Sequence, residues 1–111
     1  MQPFLEALEQ RVLVCDGAMG TMLYAKGVFI NKSFDALNLS QPELVAGVHD
    51  EYVRAGADIV ETNTFGANRM KLGSFGLADM LEAINVEGVA IARRSAGGRA
   101  YVPGSLRPLG I

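Results

Sequence analysis

The sequence has very few of the residues that form disulfides or bind transition metals. Its 111 residues include one cysteine, Cys15, and one histidine, His49. A single cysteine excludes an internal disulfide, and one cysteine with one histidine leaves too few soft or borderline ligands for a zinc site. We therefore predict no metal site within this chain.

Long apolar runs and targeting signals are missing as well. No apolar run approaches the roughly 20 residues that are needed to cross a bilayer. Residues 1–10 are acidic and helical in pattern, which is unlike a signal peptide. These absences predict a soluble cytoplasmic protein that does not enter a membrane.

Neither sign of charge is in excess. The chain has 10 basic and 12 acidic residues scattered along its length, so it shows no electrostatic footprint for nucleic acid. A small-molecule partner is the better expectation. Half of the residues are hydrophobic, and no repeat, low-complexity tract or linker divides the sequence, so we interpret residues 1–111 as one unit without a second domain.

Short apolar segments alternate with helical patterns. Strands are predicted at about 12–15, 58–62 and 100–102, and helices at about 4–8, 21–27, 40–56, 67–72 and 77–96. Ser40 and Glu43 have the capping-box spacing of a helix start. Strands separated by helices pair in parallel, and nearly continuous apolar strands are typical of a sheet covered on both faces. The predicted fold class is α/β.

Each predicted strand ends in small or polar residues, which is where α/β active sites are built. The three strand ends are Asp16-Gly17, Thr62-Asn63-Thr64 and Gly104-Ser105. A TIM (β/α)8 barrel needs eight β/α units and about 250 residues, so we predict the first three units of an incomplete barrel. Because an unfinished sheet exposes an edge and apolar faces, we expect self-association.

The segment from Asp16 to Thr21 is the most informative part of the sequence. A carboxylate at a strand end is followed by small residues, which allow backbone N–H groups to approach a ligand closely. We interpret it as the floor of a binding site. A tight strand-to-helix turn capped by Asp16 is an equally weighted alternative, and a phosphate nest is a third, which the charge of Asp16 opposes.

Strand alternation places Asp16 and Cys15 on opposite faces. With Asp16 toward the barrel mouth, we predict that Cys15 is a small core residue against the helices, with no reactive or ligand role. Glu61 would be costly to bury against helices, so it is expected to point inward, either toward a ligand or as a structural anchor. His49 lies inside a helix, where packing or solvent exposure is expected and catalysis is not.

Three motifs together resemble the homocysteine-binding domain of homocysteine S-methyltransferases. They are DGAMGTML at 16–23, AGAD at 55–58 and ETNTFGAN at 61–68. The resemblance runs from about Leu5 to Ser105. In detail it is similar to the amino-terminal domain of bifunctional homocysteine S-methyltransferase and methylenetetrahydrofolate reductase proteins, with cobalamin-dependent methionine synthase close behind.

The resemblance implies a complete barrel in which zinc, held by three cysteine thiolates, binds homocysteine as a thiolate that attacks an activated methyl group and gives methionine. In the family those cysteines come from later strands, so no residue here matches a zinc ligand, and the catalytic residues are unknown. Folate and cobalamin are possible methyl donors. The residues carried over for substrate binding, which would grip the amino acid end of homocysteine, are Asp16, Gly17, Ala18, Glu61, Asn63 and Thr64.

The match to the family falters near Arg107, where the family has a small residue before proline. Together with the stop at Ile111, this departure suggests a truncated or frameshifted product or a partial gene. Two other functions stay open from the residues alone. One is a non-catalytic α/β module that binds a small amino acid or a partner that completes the barrel, and the other is a phosphate-binding barrel fragment.

Overall fold

A computed structural model describes residues 1–29 and 31–109 of the chain. Half of this part is helical, and none of its helices combines the length with the hydropathy that crossing a membrane requires. The helices are α1 (Phe4–Gln10), α2 (Gly20–Ala25), α3 (Leu37–Ser40), α4 (Pro42–Arg54), α5 (Arg69–Gly73), a 3-10 helix (Ala78–Met80) and α6 (Leu81–Ala96).

Three extended segments lie side by side where the strands are predicted. The first and second are joined by a parallel bridge between Cys15 and Ile59, and the second and third by a parallel bridge between Ile59 and Tyr101. The predicted positions, order and parallel direction therefore agree with the structure. The predicted length does not, because within the described residues the pairing is limited to these single bridges.

Two aspartate side chains limit the pairing of the first two segments. The Asp16 N–H donates to the Ile59 carbonyl at 2.8 Å, as a parallel ladder requires. The next N–H along, that of Glu61, donates to the Asp16 carboxylate at 3.2 Å. At the other end the Val14 N–H donates to the Asp58 carboxylate at 2.9 Å. Side-chain oxygens thus replace the backbone acceptors that would extend the ladder.

A proline limits the pairing of the second and third segments. Tyr101 donates to the Asp58 carbonyl and accepts from the Val60 N–H, both at 2.8 Å, and the Pro103 carbonyl accepts from the Thr62 N–H at 3.1 Å. Pro103 has no N–H to return to the second segment. The ladder therefore ends there, and the chain continues as an irregular loop.

Helices α4 and α6 pack against one face of the extended segments. α4 lies between α2 and α6 and contacts both. One core cluster joins these helices to the segment after α2 and consists of Leu23, Val28, Leu37, Val45, Val48 and Ile91. A second cluster joins α4 and α6 to the extended segments and consists of Val53, Val60, Ala96 and Ala100. This packing fixes the strand ends relative to α4 and α6.

The predicted capping box at the start of α4 is wrong. Ser40 is the last residue of α3, and its hydroxyl donates to the Ala36 carbonyl at 3.3 Å. The N-cap of α4 is Gln41, which makes no side-chain capping bond, and Pro42 is the first helical residue. Proline has no N–H, so Pro42 needs no hydrogen-bond acceptor in the first turn. Helix α4 therefore begins without a capping bond from the Ser40 side chain.

Candidate functional site

A cavity of about 620 Å³ lies at the carboxyl ends of the extended segments. Its lining includes five of the six predicted substrate-binding residues, which are Asp16, Gly17, Ala18, Glu61 and Asn63. The strand ends therefore converge as parallel pairing predicts. The roles assigned to these residues stay predictions.

Thr64, the sixth predicted residue, is buried and is absent from the described lining of the cavity. Its hydroxyl donates to the Ser105 carbonyl at 2.9 Å and lies 2.7 Å from the Thr62 hydroxyl. The Ser105 N–H donates to the Thr62 hydroxyl at 3.1 Å. Since Thr64 has one hydroxyl proton, Thr62 must donate to Thr64. Thr62 and Thr64 therefore hold the loop after the third extended segment against the end of the second segment.

Asp16 and Glu61 form an acidic pair on one side of the cavity. Asp16 is half-buried, and burial raises the pKa of its carboxyl, with the nearby Glu61 charge adding to the effect and the Glu61 N–H opposing it. Among the described residues neither carboxylate forms an ion pair with lysine or arginine. This side of the cavity therefore favours a positively charged group.

The prediction that Cys15 is a core residue is wrong, because its side chain is exposed. The bridge to Ile59 places Cys15 on the same face as Ile59 and Glu61, opposite the face that packs against α4 and α6. The thiol lies 3.3 Å from Glu61 Oε1 and 3.5 Å from Asp16 Oδ1. Desolvation and these two hydrogen bonds raise the pKa of the Cys15 thiol to about 11. Asp16 joins the same group because its carboxylate bends toward the Glu61 N–H.

A buried pair of asparagines forms the back of the site. The Asn38 amide donates to the carbonyls of Asn63 and Ile84 at 2.9 and 3.0 Å. The Asn63 amide donates to Asn38 Oδ1 and to the Phe34 carbonyl, both at 3.0 Å. Asn38 thereby fastens the loop after the second extended segment to α6. It lies in a stretch with no periodic pattern, so no signal in the sequence pointed to it.

Tyr52, a residue of α4, contacts the backbone at the floor of the cavity. Its hydroxyl donates to the Ala18 carbonyl at 2.8 Å. A Cβ atom on Gly17 would lie 2.8 Å from the same hydroxyl, so glycine is needed for this approach. The hydroxyl contact depends on a distant pairing that periodicity does not show.

Cationic groups line another part of the cavity. The Asp35 carboxylate is buried and accepts the Gly66 N–H at 3.1 Å. Burial raises the pKa of Asp35, and the hydrogen bond from the Gly66 N–H, followed by the charges of Lys71 and Arg107, partly offsets that rise. The Arg107 guanidinium lies 5.3 Å from the centroid of the Phe65 ring. The cavity thus has an acidic side and a side that contains cations, which suits a zwitterionic ligand.

Known proteins are similar in sequence to this chain over most of its length. A model of the homocysteine S-methyltransferase family matches residues 13–111. The methionine synthases of Mycobacterium tuberculosis and Mycobacterium leprae are each 40% identical to the chain over 94% of its length. The match covers 10% of each of those proteins. The chain therefore spans about a tenth of the length of these curated relatives.

Two solved structures share the fold. The metallated form of the homocysteine methyltransferase MmuM from Escherichia coli superposes with a TM-score of 0.84 at 30% identity and covers 98% of this chain. The oxidized form superposes with a TM-score of 0.85 at 29% identity and covers 99%. In both cases 42% of the larger chain is matched. With its family model, its relatives and its fold in agreement, the chain belongs to the homocysteine S-methyltransferase family.

Proposed function

We propose that this chain binds the amino acid end of homocysteine within a homocysteine S-methyltransferase domain. The observation that carries the proposal is the acidic pair, Asp16 and Glu61, beside the backbone of Gly17 and Ala18 in one cavity. Within the described residues, no hydrogen bond uses the N–H groups of Gly17 and Ala18. These groups are therefore available to a ligand.

The two ends of an amino acid match the two kinds of group at the floor. The ammonium group is attracted to the carboxylates of Asp16 and Glu61, which have no cationic partner in the described part of the chain. The carboxylate of the ligand is suited to the backbone N–H groups of Gly17 and Ala18. A phosphate would be repelled by the same acidic pair, so this geometry disfavours the phosphate-binding alternative.

The residues of this chain cannot form the zinc site that the family resemblance implies. Three thiolates are required, and the sequence has one cysteine. The proposed role of the chain is therefore positioning of the substrate, and no bond-making step is assigned to its residues.

The finer parts of the proposal extend the family assignment. Residues 1–111 are proposed to be the N-terminal part of a homocysteine-binding domain with the first three β/α units of its barrel. The complete domain would transfer a methyl group to homocysteine and give methionine. The methyl donor, with folate and cobalamin as candidates, and the cytoplasmic location stay predictions.

Isothermal titration calorimetry with L-homocysteine and a chelator tests the binding proposal. A hydrogen bond to a charged group contributes about 1.5–3 kcal/mol, so Asp16→Asn and Glu61→Gln should each weaken binding by about tenfold or more. Asp79→Asn removes an exposed carboxylate in the 3-10 helix and should leave affinity unchanged. A folded wild-type chain that does not bind homocysteine, or equal affinity in all three variants, would contradict the proposal.

A second proposal concerns assembly, and it rests on exposed apolar side chains. Val12 in the first extended segment is 87% exposed, and Val14 in the same segment is 58% exposed. In the described residues this segment is paired on one side only. An unpaired edge with apolar side chains favours contact with another chain. We propose that copies of this chain associate through this edge.

A further inference from the structure

One tyrosine of α4 contacts the turn between the first extended segment and α2. Residues 17–20 of this turn line the cavity, whereas Tyr52 is absent from its described lining. The Tyr52 hydroxyl donates to the Ala18 carbonyl at 2.8 Å, across a separation of 34 residues in the chain. Tyr52 therefore contacts the turn from the side that faces away from the cavity.

This hydrogen bond sets the direction of the peptide group between Ala18 and Met19. The peptide bonds of the described residues are trans, and in a trans peptide the N–H points opposite to the C=O. Because the Ala18 carbonyl points to Tyr52, the Met19 N–H points toward the cavity, which Met19 lines. Within the described residues no hydrogen bond uses this N–H. It is therefore a third available donor beside the N–H groups of Gly17 and Ala18.

The tyrosine is itself held in place and keeps its proton. Its side chain packs against the first core cluster. A Cβ atom on Gly17 would lie 2.8 Å from the hydroxyl and 3.2 Å from the ring, so the ring lies close against the backbone of the turn. Burial, followed by the charges of Asp16 and Glu51, raises the pKa of Tyr52, so the hydroxyl stays a donor at neutral pH. Both properties suit a side chain that orients the backbone.

We infer that Tyr52 is a positioning residue, whose bond to Ala18 directs the Met19 N–H at the carboxylate of the bound amino acid. The inference rests on the proposed function and deepens it by naming the group that orients the site. Successive backbone N–H groups that point into one cavity are suited to an anion. Without the hydroxyl bond the peptide group can rotate, and the ligand carboxylate loses one donor. The ammonium group of the ligand, on the acidic side of the cavity, is not affected.

Calorimetry with two ligands, each in the presence of a chelator, tests the inference. L-homocysteine carries the carboxylate, and homocysteamine is the same molecule without it. Tyr52→Phe keeps the ring and removes the hydroxyl, so it should weaken homocysteine binding by about two- to tenfold, the range of one hydrogen bond. It should bind homocysteamine as the wild type does. Tyr24→Phe is the matched control, because Tyr24 is 59% exposed on α2, and it should bind both ligands like the wild type.

Nuclear magnetic resonance of the full chain observes the Met19 N–H directly. In the wild type, homocysteine should move the amide proton of Met19 downfield, as a hydrogen bond to a carboxylate does, and homocysteamine should not. In Tyr52→Phe the downfield shift with homocysteine should be smaller. The amide signals of Tyr52→Phe outside the turn should match those of the wild type, which establishes that the variant is folded.

The outcomes separate this inference from the proposed function. An equal loss of affinity for the two ligands in Tyr52→Phe, or no loss for either, would overturn the inference while homocysteine still binds the wild type. A Met19 signal that homocysteine leaves unmoved in the wild type would overturn it as well, and this result decides the matter if homocysteamine binds too weakly for calorimetry. A folded wild-type chain that binds no homocysteine would overturn the proposed function and this inference together.

Discussion

At the scale of single residues, His49 shows how a polar side chain can be buried without a partner. It is 0% exposed, and neither ring nitrogen has a hydrogen-bond partner in the described part of the chain. It lies on α4 between Val45 and Val53, each four residues away and both buried, so it shares their face. Burial lowers the pKa of His49 to about 4, against the opposing effect of the Asp50 charge. Helix packing, one of two expectations for this residue, is what the structure shows.

The depressed pKa of His49 makes stability depend on pH. Below pH 6.5 the unfolded chain takes up a proton that the folded chain resists until about pH 4. The free energy of unfolding should therefore fall as pH drops through this window, by up to about 3 kcal/mol. Asp16 and Asp35, whose pKa values are raised, act in the opposite direction at the acidic end.

The substitution His49→Leu isolates this effect. It removes the only histidine and two unpaired buried nitrogens, so the variant should be more stable than the wild type, and the difference should grow from pH 7 to pH 5. Urea unfolding of both proteins at the two pH values measures the difference, in which the carboxyl contributions cancel. A difference that does not change with pH would show that the pKa of His49 is the same in the folded and unfolded chains, which would contradict its burial in the folded chain.

At the scale of helices, Gly88 shows how tertiary packing can oppose intrinsic helix propensity. It lies inside α6, where alanine is favoured over glycine by about 1 kcal/mol. A Cβ atom there would lie 2.7 Å from Asn38 Nδ2 and 2.8 Å from Thr64 Cγ2. Overpacking costs about 1–3 kcal/mol, and displacing Asn38 also weakens its hydrogen bonds to Asn63 and Ile84. Packing should therefore outweigh propensity.

We expect Gly88→Ala to lower the free energy of unfolding by about 1–3 kcal/mol. Gly47→Ala is the matched control, because Gly47 lies inside α4 and a Cβ atom there would meet nothing within 4 Å. That variant should gain up to about 1 kcal/mol. Chemical denaturation of the two variants gives the comparison. If Gly88→Ala were as stable as Gly47→Ala, the close contact of α6 with Asn38 would not exist in solution.

The extended segments mark the limit of what the sequence predicts at this scale. Apolar runs predicted their positions and their parallel order. The ends of the ladder depend on the side chains of Asp16 and Asp58 and on the missing N–H of Pro103. Such bonds compete with the ladder only once the partner segment is in place, so local patterns do not predict them. The same reasoning explains why Ser40 belongs to α3 although its spacing resembled a cap of α4.

At the scale of the whole molecule, convergence of strand ends was predictable and the side-chain orientation was not. Parallel order brings Asp16 and Glu61 to one edge, as expected from the sequence. The face of Cys15 depends on its pairing with Ile59, which is 44 residues away in the chain. Asn38 and Tyr52 act through contacts with distant loops and show no local signal. The sequence therefore predicts where the cavity lies better than it predicts what supports it.

The exposed edge of the first segment leads to a prediction about assembly. Val12 and Val14 lie on one face of this segment and are largely in solvent. Lysine at a sheet edge discourages pairing with another chain because its charge must be desolvated. Val12→Lys combined with Val14→Lys should therefore shift the sedimentation coefficient toward that of a monomer at concentrations where the wild type associates.

The matched control for this variant is Val86→Lys, since Val86 is 60% exposed on α6, away from the edge. It should sediment like the wild type, because the contact depends on where the apolar side chains lie and not on their number. Sedimentation velocity over a range of dilutions distinguishes the cases. A wild-type chain that stays monomeric at every concentration would exclude association, whereas equal dissociation by both variants would point to net charge and not to the edge.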